Sequence, residues 1–245
     1  MTKLFTVAYT VFGDVLLICR IHLIVHRECV MKNAEKSVMC FGDSNTWGCD
    51  PAGGARFDRS TRWPGVLQAE LGEKCHVVEE GLGGRTTVWD DPIEGFKNGL
   101  KQLPPLLKSH APLDLLIIML GTNDLKNRFG VSAMDVSWSV TRLVNEAKNN
   151  AKAFVNEDPK VLVVCPPPYA DMSNVPLRKI FVGAEEKSHQ LAAEFAREGE
   201  EQGYPVFNAG NVIESSPIDG IHLEATEHRK LGEALAVEVK RVLFS

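Results

Sequence analysis

From residue 37 onward, short and almost uninterrupted apolar runs alternate with longer amphipathic stretches, and this alternation constrains the fold more than any other feature of the chain. The runs Ser37–Phe41, Cys75–Glu79, Leu113–Leu120, Lys160–Cys165 and Val206–Asn208 read as strands. Between them, Pro64–Leu71 reads as a helix, with Pro64 suited to a first turn and Gly72 to its end. Met134–Asn150, Ile180–Gln202 (closed by Gly203) and Glu224–Leu243 read as further helices, the last with Leu231, Leu235, Val239 and Val242 on one side. Strands with no polar alternation are buried on both faces, which requires a parallel sheet covered by helices above and below. The expectation is therefore an α/β protein, a three-layer α/β/α sandwich around a parallel sheet of about five strands.

The chain has 245 residues, 44% of them hydrophobic and 24% charged, enough to bury one substantial core. Its net charge of −5 and the lack of a Lys/Arg run argue against nucleic acid as a partner. Cys19, Cys29, Cys40, Cys49, Cys75 and Cys165 form no C-x-x-C pair, and Cys40 and Cys165 lie inside apolar runs. They read as reduced thiols of a cytoplasmic protein. Residues 1–33 are expected to be an N-terminal extension preceding a domain at 34–245. The apolar stretch from Leu4 to Cys19 is interrupted by Asp14 and makes a poor membrane span. A weak secretory segment beginning at Lys3, a tag, or a natural start at Met31 remain open readings, and Met31 is favoured because the polar Lys32–Lys36 leads directly into the first strand.

Each strand ends in residues able to do chemistry. The first stops in Gly42-Asp43-Ser44-Asn45, so Ser44 is expected to stand exposed at a strand's carboxyl end, where open α/β sheets bind ligands. Taken alone, that tetrapeptide is equally a polar turn. The second strand is followed by Gly81-Leu82-Gly83-Gly84-Arg85-Thr86-Thr87, whose glycines let backbone N–H groups turn toward a ligand. It is not a dinucleotide fingerprint, because Thr86 stands where G-x-G-x-x-G needs glycine. After the third strand comes Gly121-Thr122-Asn123-Asp124. Near the end, Asp219 and His222 are three residues apart on one turn, so the acid can orient the ring while the other ring nitrogen reaches a serine. A metal site would recruit Asp219, His222, Glu224 and His228, but their spacing fits no standard site, so none is expected.

Together, Gly42-Asp43-Ser44-Asn45, Gly83-Gly84-Arg85-Thr86-Thr87, Gly121-Thr122-Asn123-Asp124 and Asp219-Gly220-Ile221-His222 resemble, in order and spacing, the blocks of the SGNH (GDSL-type) hydrolase superfamily. Arg62–Leu67, Glu79–Leu82 and Asp114–Asp124 are similar to its bacterial arylesterase and acyltransferase branch. Asn45 stands where the namesake motif has leucine. The resemblance implies a flavodoxin-like sandwich and a catalytic set of Ser44, Asp219 and His222. It also implies an oxyanion hole made by the backbone N–H groups of Ser44 and Gly84 and the side-chain amide of Asn123. It implies a cofactor-free esterase for short acyl esters, aryl esters or acetylated sugars among them, with acyl transfer to alcohols as a further activity, in a homo-oligomer without membrane partners. Trp47, Trp89, Tyr169 and Phe181 are candidates to shape the substrate pocket. The alternatives are an inactive ligand-binding module on the same fold, and a hydrolase of the thioesterase or lysophospholipase type.

Overall fold

The computed structural model describes residues 35–244, so the expected extension at 1–33 lies outside the described residues. Strand β1 (Lys36–Gly42) lies between β2 (Cys75–Gly81) at one edge and the central β3 (Leu115–Met119), with β4 (Val161–Cys165) and β5 (Val206–Asn208) beyond. All pairings are parallel, and the order is β2-β1-β3-β4-β5. The expected sandwich with its five-stranded parallel sheet is therefore the observed architecture.

The helices are α1 (Ser44–Trp47), α2 (Trp63–Leu71), α3 (Gly99–Ser109), α4 (Ala133–Asn149), α5 (Ala184–Gln202) and α6 (Ala225–Phe244). Successive strand residues point to opposite faces, and here both faces are apolar. Met39, Phe41, Leu116, Ile118 and Val163 pack with Leu103 and Leu107 of α3, Val140 and Leu143 of α4, and Leu191 and Phe195 of α5. Val38, Cys40, Leu115, Ile117 and Val164 pack on the other side with Trp63 and Leu67 of α2 and Leu231, Leu235 and Val239 of α6. Each such side chain contributes about 1.5–3 kcal/mol through burial, which is why the strands tolerate no polar alternation.

Most observed boundaries lie close to those expected, and the differences have local causes. Helix α3 was not anticipated because Pro104 and Pro105 lie inside it, where proline removes a backbone donor and opposes helix. Asn98 caps it by accepting from the Lys101 N–H, and Leu103 and Leu107 anchor it to the sheet. Helix α5 begins at Ala184 rather than Ile180, because Gly183 adopts a left-handed conformation (φ 71°). Among the described residues, no helix is long and apolar enough to cross a membrane.

The strand order has a functional consequence. The chain leaves β1 toward β2 and then crosses back to place β3 on the opposite side of β1, so the connections diverge between β1 and β3. That divergence opens a crevice at the carboxyl ends of these two strands. Ser44 follows β1 and Asn123 follows β3.

Candidate active site

Gly42-Asp43-Ser44-Asn45 is a strand end that turns directly into a helix. The Asp43 carboxylate accepts from the Asn45 N–H at 3.0 Å and caps α1, and the Asp43 carbonyl accepts from the Trp47 N–H at 2.9 Å. A side chain at Gly42 would place its Cβ 2.0 Å from Thr46 Oγ1 and 2.8 Å from the Met119 carbonyl, so only glycine permits so sharp a turn beside β3. Ser44 is thus the first residue of α1. Contrary to the expectation of an exposed serine, only 9% of its surface is accessible. The loop carrying His222 folds over it, held in part by Asn45 Nδ2 donating to the Ile221 carbonyl at 3.3 Å.

That loop is organised by one carboxylate. Asp219 Oδ1 accepts from the N–H groups of Ile221 and His222, each at 2.9 Å, while Oδ2 lies 2.5 Å from His222 Nδ1. The other ring nitrogen, Nε2, lies 2.9 Å from Ser44 Oγ, although the two residues are 178 positions apart in sequence. The network assigns the Nδ1 proton toward Asp219 and leaves Nε2 facing the serine hydroxyl. Burial disfavours a charged imidazole here, but the bond to Asp219 and the nearby Cys49 side chain outweigh it and raise the His222 pKa above its ordinary 6.5. Burial likewise opposes ionisation of Asp219, and the hydrogen bond and charge of His222 hold its carboxyl below the usual carboxylate range.

Three donor groups from separate segments occupy the same end of the sheet. Among the described residues, neither the Ser44 N–H nor the Gly84 N–H is given to an acceptor. Gly84 has φ +80°, a backbone conformation that residues other than glycine rarely adopt, so the position favours glycine on conformational grounds. Asn123 opens a single 3₁₀ turn, Asn123–Leu125, and its Nδ2 donates to Asp43 Oδ2 at 3.3 Å. Burial raises the pKa of the Asp43 carboxyl, although the Asn45 N–H and the charges of His222 and Arg85 oppose it.

Supporting contacts that sequence reasoning did not anticipate link these segments. Arg85 Nη1 donates to the Gly42 carbonyl at 2.7 Å and also to the Glu80 carbonyl, while its guanidinium lies 4.2 Å from the Phe41 ring centroid. The buried Asp124 carboxylate accepts from the Thr87 N–H at 3.1 Å to each oxygen and from the Thr87 hydroxyl. Burial dominates at Asp124, and its pKa is raised to about 7 although the Thr87 bonds oppose this. A capping role for Asp43 was legible as an acid at a strand-to-helix turn. The Arg85 and Asp124 links join residues too distant in sequence to carry any local signal.

The pocket candidates divide. Trp47 is partly buried, with the Arg56 guanidinium 5.2 Å from its ring centroid, and Trp89 is partly buried against the core. Tyr169 and Phe181 instead belong to the core itself, with ring centroids 5.5 Å apart, edge to face. The Tyr169 hydroxyl donates to the Thr122 carbonyl at 2.6 Å, so these two rings brace the Asn123 turn from behind and offer a substrate little surface. The alternative metal ligands are engaged elsewhere: Glu224 Oε1 accepts from the Ser216 hydroxyl at 2.9 Å, and His228 Nδ1 accepts from the Trp63 N–H at 3.3 Å. Burial lowers the His228 pKa to about 4, keeping that ring neutral.

Residues 40–230 match the GDSL-like Lipase/Acylhydrolase family, and the chain belongs to it. The native aryl esterase of M. smegmatis has a similar structure, with a TM-score of 0.81 and 42% identity, covering 85% of this chain and 100% of that one. A carbohydrate acetylesterase from Sinorhizobium meliloti is similar at a TM-score of 0.80 and 40% identity, with the same coverage of 85% and 100%. A member of the lipolytic G-D-S-L family from Veillonella parvula shares the fold at 15% identity and a TM-score of 0.58, covering 83% of this chain and 97% of that one. A search of curated proteins gave no match.

Proposed function

We propose that this carboxylic ester hydrolase cleaves short acyl esters through Ser44, His222 and Asp219. The observation that carries the reading is the continuous contact from Asp219 through both nitrogens of His222 to Ser44 Oγ. His222 Nε2 takes the hydroxyl proton as Ser44 Oγ bonds to the ester carbonyl carbon, and Asp219 stabilises the imidazolium that results. The carbonyl oxygen becomes an oxyanion, received by the Ser44 N–H, the Gly84 N–H and the Asn123 amide. The intermediate collapses, the C–O bond to the alcohol breaks, and His222 returns the proton to the departing oxygen. Water, or another alcohol, then repeats the sequence against the acyl-enzyme and frees Ser44.

Aryl esters and acetylated sugars are the substrate classes proposed, because similar structures include an aryl esterase and a carbohydrate acetylesterase. Trp47 and Trp89 are the aromatic side chains proposed to meet the substrate. The catalytic domain is assigned to residues 34–245 and is proposed to act as a homo-oligomer. A cytoplasmic location is proposed from the cysteines, which form no C-x-x-C pair and include Cys40 and Cys165 as free thiols buried in the core. The decisive test is an ester panel from acetate to decanoate on the wild type and Ser44→Ala. Activity falling with chain length and lost in the variant is expected; hydrolysis by Ser44→Ala at the wild-type rate overturns the proposal.

A further inference from the structure

The three segments that bear the donor groups are joined in pairs. Asp43 connects the Ser44 segment to Asn123 by accepting from its amide at 3.3 Å. Arg85 connects the Gly84 segment to the end of β1 by donating to the Gly42 carbonyl at 2.7 Å. The remaining side, between the Gly84 and Asn123 segments, is closed by Thr87 and Asp124 across 37 positions of sequence. Asp124 directly follows Asn123, and Thr87 lies just beyond Gly84 and Arg85.

We propose that Asp124 is a positioning residue for the oxyanion pocket, fixing the separation of the Gly84 N–H and the Asn123 amide through its carboxylate grip on Thr87. This rests on the assignment of those groups as oxyanion donors. The chemistry of the contact favours the role. The carboxylate is fully enclosed and takes both the N–H and the hydroxyl of one residue, so Thr87 is held in backbone position and in rotamer. The surrounding chain transmits that hold. Gly99 N–H donates to the Thr86 carbonyl at 3.1 Å and Leu100 N–H to the Thr87 carbonyl at 2.9 Å, so the grip continues from this loop into the first turn of α3. A backbone donor cannot move independently of its chain, and a donor displaced by a fraction of an ångström loses much of its value to a developing oxyanion.

The test uses Asp124→Asn, which keeps the shape but replaces one accepting oxygen by a donor, and Thr87→Val, which removes the hydroxyl alone. Both are combined with Asn123→Ala and assayed on p-nitrophenyl acetate, and each variant is titrated with a trifluoromethyl ketone, whose serine adduct carries an oxyanion. The expected result for Asp124→Asn is a loss of about 10- to 100-fold in kcat with little change in KM, somewhat less than deletion of a donor outright. Affinity for the ketone should weaken by a similar factor, and the loss should be much smaller in the Asn123→Ala background than alone. A loss of the same factor in both backgrounds, or a wild-type kcat in Asp124→Asn, overturns the proposal. If Asp124→Asn does not fold, Thr87→Val reads the same contact, with Thr87→Ser expected to restore activity. Ser44→Ala assayed alongside separates the two levels: its retained activity would sink the underlying mechanism, whereas its inactivity beside an unimpaired Asp124→Asn sinks only the positioning role.

Discussion

The two halves of the site are built on different principles. On one side, Asp219, His222 and Ser44 meet through side chains, and a single carboxylate both folds the turn and aims the ring. On the other side the proposed donors include two backbone N–H groups, which have no side chain to aim and take their places from the segments that carry them. The first half is local chemistry brought to the serine by one loop. The second is distributed, and depends on buried ties at Asp43, Arg85 and Asp124. The difference implies that damage to the first half is severe and specific, while damage to the second is graded and spreads along the ties.

The sharpest way to break the comparison is at Asp219. Asp219→Asn removes the group that sets the His222 tautomer, and a loss of kcat on the order of 10⁴-fold is expected, measured by steady-state hydrolysis of p-nitrophenyl acetate. A loss below tenfold would mean that the turn backbone alone aims the ring. Gly84→Ala tests the other half. The added side chain strains a backbone held at φ +80°, so the N–H shifts and kcat should fall by about 10²-fold, with Ser44 still open to a fluorophosphonate label.

The pH profile separates the halves without substitution. In the proposed mechanism His222 must be neutral to accept the serine proton, and its pKa is raised above the ordinary 6.5, so kcat/KM should rise with pH through a limb above 6.5. Asp219→Asn removes the first of the raising influences, leaving burial less opposed, so the limb should move to lower pH. Gly84→Ala should leave it in place. The smallest effect is expected at Asn45→Leu, which gives up the bond to the Ile221 carbonyl: about 1 kcal/mol of stability in a denaturant melt and a loss of only a few-fold in kcat.

Much of this protein is legible in its sequence. Unbroken apolar runs at Val38–Phe41 and Leu115–Met119 can be satisfied only by burial on both faces, so they dictate parallel strands between helical layers. Ser44, Gly84 and Asn123 stand in turns that follow apolar runs, and Asp219 and His222 share one turn, so all could be named as candidates, but their roles as a set came only from the resemblance to the SGNH superfamily. Helix α3 was missed for the converse reason, since Pro104 and Pro105 argue locally against helix and only packing of Leu103 and Leu107 on the sheet overrides them. The pocket candidates Tyr169 and Phe181 were misplaced because an aromatic ring near a strand end has the same sequence signature whether it lines a pocket or fills a core.

The sequence by itself determined the layer architecture and the residue types at the site, because periodicity and turn chemistry act over a few residues. It did not determine that Ser44 would be nearly enclosed, that Asn45 would hold the histidine loop, or that Thr87 would rest on Asp124. Those outcomes depend on where the sheet brings segments 37 to 178 positions apart, and a hydrogen bond between such segments exists only once the core has fixed the distance between them.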